Sequence, residues 1–95
     1  MNTISLKKIR EFVSEHPDSK SSLIAWYKMV KKARWRSLAA VRLVYPHADL
    51  VGNYTVFNIR GNHYRLIAEI NYQYQQILIR EILTHTDYDK DKWKS

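Results

Sequence analysis

Three runs of β-branched, aromatic and aliphatic residues fill Tyr54–Leu83, with short polar breaks between them, and they fix most of what this chain can fold into. The first run, Tyr54–Arg60, places Thr55, Phe57 and Ile59 on one face and Tyr54, Val56 and Asn58 on the other. That period of two, with this composition, predicts a strand. Gly61-Asn62 follows as a two-residue turn, glycine being free to take positive φ. In His63–Ile70, the residues His63, Arg65, Ile67 and Glu69 face one way, and Tyr64, Leu66, Ala68 and Ile70 the other. Asn71–Gln76 is polar and aromatic and reads as a longer hairpin loop. Ile77–Leu83 is apolar at nearly every position except Arg80 and Glu81, a pattern expected of a central strand covered on both sides. An arginine inside such a run must find a carboxylate, a carbonyl or water, because burying its charge alone is costly. Arg80 is therefore either an ion-pair partner or a residue aimed at a ligand.

The segments ahead of the strands read as helices. Met1–Ser5 suits a short edge strand. Leu6, Ile9, Phe12 and Val13 then recur at helical spacing as far as about Glu15. His16 precedes Pro17 and is pushed out of helical geometry, which ends that helix. Asp18 or Ser19 caps a second helix, whose stripe of Leu23, Ile24, Trp26, Tyr27, Val30 and Ala33 is apolar. Ser37 caps a short third helix, Leu38–Tyr45, stopped by Pro46, and His47–Asn53 is a loop. Helices precede an antiparallel meander, so the expected architecture is α+β. Two N-terminal helices and a short third pack on one sheet face, and the opposite face is left for a ligand. No repeat or linker interrupts the 95 residues, which read as a single domain, 1–95.

The charge balance narrows the partners. The chain carries a net charge of +7, and residues 1–45 hold ten of the sixteen Lys/Arg against Glu11, Glu15 and Asp18. Lys28, Lys31, Lys32, Arg34 and Arg36 lie within nine residues without one acid. An unbalanced basic run of this kind points to a phosphate backbone. The apolar face of the same segment is needed for a core, which weakens the rival reading as a membrane-surface helix. There is no cysteine, so neither a disulfide framework nor a thiolate metal site can form. The four histidines, at 16, 47, 63 and 85, show no helical pairing, and no metal site is expected. Without a membrane-length apolar run or a signal-peptide pattern, the expected location is the cytoplasm.

Two segments, VFNIRGNHYRLIAEI (56–70) and IREILTHTDYDK (79–90), resemble HigB toxins, a branch of the RelE-like ribonuclease toxins of bacterial toxin–antitoxin modules. The resemblance rests on Gly61-Asn62-x-x-Arg65 together with Thr84-His85-x-x-Tyr88-Asp89, and extends to the helical hairpin by layout and length. It implies a RelE-like fold and a ribosome-dependent mRNA endonuclease that needs no metal or cofactor. It also implies neutralisation by a HigA-like antitoxin with a helix-turn-helix domain, operator DNA being reached only through that complex. In such ribonucleases the RNA's own 2′-OH attacks the adjacent phosphodiester. The protein must accept that proton, supply positive charge to the phosphorane, and protonate the leaving 5′-oxygen.

Carried over onto this sequence, Arg65 matches the arginine of the second meander strand, and its fork suits a non-bridging phosphate pair. The alternative for Arg65 is a salt bridge with Glu69 or Glu81. Tyr88 matches the tyrosine after the last strand, which stacks on a base or transfers a proton; otherwise it is a packing residue. His85 is the best-placed general acid or base, since imidazole titrates near neutrality. Arg80 is a second basic position of the family pattern, or else a partner of Asp87 or Asp89. Asp89 either orients His85 or Tyr88 or is a solvated tail charge. His16 and His47, beside prolines, read as structural, and His63 as a surface residue. The family's lysines on the first meander strand are missing here. Asn58 and Arg60 are the strong polar groups nearby, and Arg60, Arg65 and the Lys28–Arg36 run are expected to supply the charge. That basic run is expected to contact ribosomal RNA, positioning without reading sequence. Two rivals remain. One is a non-catalytic RNA-binding module stacking bases on Tyr54, Tyr64, Tyr72 and Tyr74; the other is a regulatory protein docking an acidic partner. A DNA-binding regulator is disfavoured, because no helix-turn-helix is legible.

Overall fold

The computed structural model describes residues 1–94, the backbone alone for residue 94. A short strand β1 (Asn2–Ile4) leads into helix α1 (Lys7–Glu15), a 3-10 turn (Pro17–Ser19) and helix α2 (Lys20–Lys32). Helix α3 (Leu38–Val44) follows, with the Ser37 hydroxyl accepting from the Ala40 N–H as its cap. Then come strands β2 (Asp49–Val51), β3 (Tyr54–Ile59), β4 (Tyr64–Asn71) and β5 (Gln76–Thr84), and a last short helix α4 (His85–Asp89). The five strands form one sheet in the order β1-β5-β4-β3-β2. All neighbours are antiparallel except β1, which runs parallel to β5. The architecture is α+β, with α1, α2 and α3 on one face of the sheet as the pattern requires. No helix among the described residues is long and apolar enough to cross a membrane.

The core lies between that face and the helices. Leu23, Trp26 and Val30 of α2 are buried with Ile9, Val41, Phe57, Ile59, Leu66, Ala68, Ile77 and Ile79. Phe57 sits at its centre, with the rings of Trp26, Tyr45 and Trp35 at 5.5, 5.4 and 6.4 Å. The first two contacts are edge-to-face and the third is stacked, and both kinds add to the large area each ring buries. With the even set Tyr64, Leu66 and Ala68 facing the helices, Arg65, Ile67 and Glu69 must point to the other side.

Several expectations need correction. His47–Asn53 is not all loop, because Asp49–Val51 pairs with Tyr54–Val56 as an edge strand. The turn after β3 is not a two-residue one: Ile59 pairs with Tyr64, leaving Arg60–His63 outside the ladder. The His63 N–H donates to the Arg60 carbonyl at 3.2 Å, and both Arg60 (φ 51°) and Gly61 (φ 61°) take the left-handed region. Holding arginine there costs roughly 1–2 kcal/mol. Neither candidate cap of α2 caps through its side chain. The Ser19 hydroxyl donates backwards to the His16 carbonyl at 2.6 Å, and Asp18 faces the sheet turn instead. β5 is an interior strand, but it is covered fully only on the helix side; Glu81 on its other face is exposed. A register shift between β4 and β5 leaves Arg80 as the extra residue of a bulge.

The face away from the helices is not bare. Val56 and Ile67 lie on it, yet are 2% and 1% exposed. The chain after β5 turns back over this face, so the polar tail of the sequence is structured. Trp93, within a terminal 3-10 turn (Lys92–Lys94), sets its ring 6.0 Å from Tyr54 and 5.1 Å from Tyr88.

Candidate active site

Arg65 projects from β4 on the face away from the helices and is 9% exposed. Its Nη1 donates to the carbonyls of Tyr64 (3.1 Å) and Asn62 (3.3 Å), and its Nη2 donates to Asn62 Oδ1 at 2.5 Å. The guanidinium lies over the Tyr88 ring, 5.5 Å from its centroid. Carbonyls, an amide and a ring thus hold the cation, with no carboxylate against it. The salt bridge to Glu69 or Glu81 offered by the sequence does not form. Nε–H and one Nη2–H make no hydrogen bond among the described residues, so an anion brought to this spot would meet an oriented, unneutralised donor edge.

α4 supplies the other two groups. The register Tyr64↔Thr84 and Arg65↔Leu83 brings the start of α4 beside the Arg65 end of β4. Thr84 caps the helix by accepting from the Asp87 N–H, and the His85 N–H donates to the His63 carbonyl at 3.0 Å. His85 and Tyr88 are three residues apart, hence neighbours on one helical face. His85 Nδ1 lies 3.0 Å from Asp89 Oδ2, both side chains about half exposed. Of the two roles open to Asp89, this is the one that orients His85. An imidazole held through Nδ1 presents Nε2 for proton transfer.

Arg80 stands apart from this group. It pairs with Glu69 at 3.5 Å, not with Asp87 or Asp89, which are engaged by Lys90 and His85. Both Arg80 and Glu69 are about half exposed, so the pair is a weak surface contact. It borders a separate cavity of about 350 Å³ shared with Lys8, Tyr54 and Trp93. Asn58 is the cross-strand partner of Arg65 and belongs beside it. Arg60 does not: its Nη1 is 2.9 Å from Asp18 Oδ2. Lys28, Lys31 and Lys32 of α2 and Arg34 and Arg36 after it are exposed. α2 packs on the sheet face opposite Arg65, so its lysines are separated from the Arg65 group by the sheet.

The tyrosine platform of the RNA-binding rival disperses. Tyr64 is buried, Tyr72 is half-buried against the core, and Tyr54 meets Trp93, which leaves only Tyr74 open to solvent. Two site-forming residues escaped the sequence reading. Asn62 was legible only as a turn residue, and Trp93 only as an aromatic in a charged tail. Among the described residues, no three His, Asp or Glu side chains gather as a metal-binding group.

A second network supports the turn that carries Asn62. Asp18 accepts from Tyr64 Oη at 2.6 Å as well as from Arg60. The Tyr64 hydrogen bond, and then the Arg60 charge, hold the Asp18 carboxyl below its ordinary pKa, while the same bond raises the Tyr64 phenol. A depressed carboxylate pKa contributes stability that is present above the unfolded value and is lost as pH falls through the folded one. Asp18→Asn is therefore expected to lower thermal stability at neutral pH and to flatten its fall below about pH 4, where the wild type loses the same contribution and the two proteins converge. Melting curves of both proteins between about pH 2 and 7 measure this.

Comparison with known proteins bears on the same segments. A family model described as HigB_toxin, RelE-like toxic component of a toxin-antitoxin system, matches residues 19–91. The "mRNA interferase toxin HigB" of Escherichia coli strain K12 is 28% identical over 92 residues, covering 94% of this chain and 88% of that protein. The "mRNA interferase HigB" of Shigella flexneri matches to the same extent. One from Escherichia coli O6:H1 is 26% identical over 93 residues, covering 95% of this chain and 90% of its own length. The family match takes in β3, β4, β5 and α4, and so Arg65, His85 and Tyr88; the chain belongs to the HigB toxin family, the RelE-like toxic component of toxin–antitoxin systems.

Proposed function

We propose that this chain is a cytoplasmic, ribosome-dependent mRNA endonuclease that cleaves without a metal and is neutralised by a HigA-like helix-turn-helix antitoxin. The observation that carries this reading is the Arg65 guanidinium held between Asn62 and Tyr88, with His85 on the same helical turn as Tyr88. In the reaction, the 2′-oxygen attacks phosphorus and the bond to the 5′-oxygen breaks, leaving a 2′,3′-cyclic phosphate and a 5′-OH. One proton leaves the 2′-OH and one reaches the 5′-oxygen. His85 Nε2 takes one of these roles, with Asp89 steadying the ring through Nδ1. Arg65 meets the charge that accumulates on the phosphorane oxygens, and its pre-ordering means little has to reorganise as the charge develops. Tyr88, already stacked on Arg65, offers either a ring face to a base or its phenol to the second proton transfer.

Arg80 is assigned a lesser part, because its Glu69 partner neutralises it outside the Arg65 group. The lysines of α2 lie on the other side of the sheet from Arg65, and the exposed Lys28–Arg36 run fits a docking contact with ribosomal RNA.

The test is induction in a bacterial host, with transcript ends mapped by primer extension, followed by reaction of purified protein with mRNA. Cuts inside translated codons, ends carrying 2′,3′-cyclic phosphate, insensitivity to EDTA and dependence on added ribosomes are the expected results. Growth arrest without cuts would place the protein among translation blockers that act by binding.

A further inference from the structure

A pocket of about 570 Å³ opens between the α3–β2 connection and the β3–β4 turn, within the roughly 300–1,000 Å³ typical of ligand sites. Pro46, His47, Asn58, Gly61 and Asn62 line it, with Tyr45 at its side. No carboxylate, lysine or arginine is among its lining residues, so its chemistry is not that of a phosphate or cation site. It offers the Asn58 amide with donor and acceptor, the Asn62 amide whose oxygen already accepts from Arg65, an imidazole, and apolar surface from Pro46, Tyr45 and Ala48. A flat, neutral ring with a mixed donor and acceptor edge fits that set, and a nucleobase is such a ring.

Position makes the case stronger. Asn58 lies directly across the ladder from Arg65, and Asn62 Oδ1 accepts from the Arg65 guanidinium. The pocket wall and the candidate phosphate-binding group therefore share residues. The Asn58 side chain is half-buried and makes no hydrogen bond among the described residues, so its amide is uncommitted where the pocket begins. His47 is exposed and borders the same space.

We propose that this pocket is a nucleobase subsite, which seats the base of a nucleotide whose phosphate lies on Arg65. Asn58 and His47 read the base edge, and Asn62 couples an occupied pocket to the guanidinium. The link to a scissile phosphate rests on the endonuclease reading; the base site itself does not.

Binding can be followed without any cleavage, by NMR titration of the full chain with each of the four nucleoside 3′-monophosphates. Ribose 5-phosphate is the base-free probe. The nucleotides are expected to shift the side-chain amide signals of Asn58 and Asn62 and the ring signals of His47, with unequal affinities among the four bases. Ribose 5-phosphate should perturb Arg65 alone. Asn58→Ala and His47→Ala are each expected to weaken the preferred nucleotide about tenfold, as loss of one hydrogen-bonding partner does. His47 is exposed, so its variant is no threat to folding. The proposal is overturned if ribose 5-phosphate binds as well as the nucleotides, if the three residues stay silent, or if both variants bind unchanged. Base binding here by a protein that cuts no mRNA would end the endonuclease reading and leave the subsite standing. Cleavage with a silent pocket would do the reverse.

Discussion

His85→Ala is expected to lower the rate of mRNA cleavage by about 10²–10⁴-fold, the usual worth of a positioned acid or base. The expectation follows from how little else the side chain does. It is about half exposed, and its ring contact is the one to Asp89. What ties α4 to the turn after β3 is the His85 backbone N–H on the His63 carbonyl, which alanine keeps. A melting temperature near wild type should therefore accompany the loss. Single-turnover cleavage on programmed ribosomes gives the rate, and its pH dependence identifies the group: the variant should lose one limb of the profile. Asp89→Asn keeps the shape but not the charge behind Nδ1, and should lose less than His85→Ala. A variant within a few-fold of wild type would move both proton transfers elsewhere, with Tyr88 the next group in line.

The sheet was readable because its signal is local and repeated. Alternation through Phe57, Leu66 and Ala68 fixed which side met the helices, and that in turn fixed Arg65 on the other side. The Ser37 cap and the Pro46 stop were equally local. What escaped the sequence depended on contacts between distant residues. Asp49–Val51 has no strand pattern of its own and pairs because β3 offers an edge. Gly61-Asn62 resembles a tight turn by composition, but Arg60 also takes left-handed geometry and pairs with Asp18, 42 positions earlier, in a longer loop. The tail after Thr84 reads as polar, yet Tyr88 and Trp93 fold it over the sheet face because Val56, Ile67 and Tyr54 would otherwise stay wet. The site divides the same way. His85, Arg65 and Tyr88 are visible through their resemblance to a family, and Asn58 as a polar residue of the first meander strand, whereas Asn62 gains its role only when the turn brings it to Arg65. Arg60 depends on a distant contact as well, because its ion pair with Asp18 joins residues that no local pattern links.

Arg65→Ala is expected to cost about 10²–10³-fold in cleavage, the scale set by removing one preorganised donor from a developing oxyanion. Arg65→Lys separates charge from geometry. The ammonium keeps the positive charge but loses the planar fork that reaches Asn62, the Tyr64 carbonyl and a phosphate together. If bulk charge were sufficient, lysine would restore most of the rate. The geometry argues for little restoration, because a flexible stem cannot be held by Asn62 and Tyr88 as the guanidinium is. Stability has to be measured alongside, since Arg65 is 9% exposed and its hydrogen bonds are part of the fold. Losing a charged hydrogen bond costs about 1.5–3 kcal/mol, which for a domain of this size lowers Tm by several degrees. Assays therefore belong well below that melting point. Asn62→Ala completes the comparison, because it leaves the cation in place and removes the side chain that aims it. A rate between those of wild type and Arg65→Ala, measured well below the melting point of the variant, would show that orientation contributes apart from charge. A wild-type rate in Asn62→Ala would mean that Tyr88 and the backbone carbonyls alone set the angle of the guanidinium.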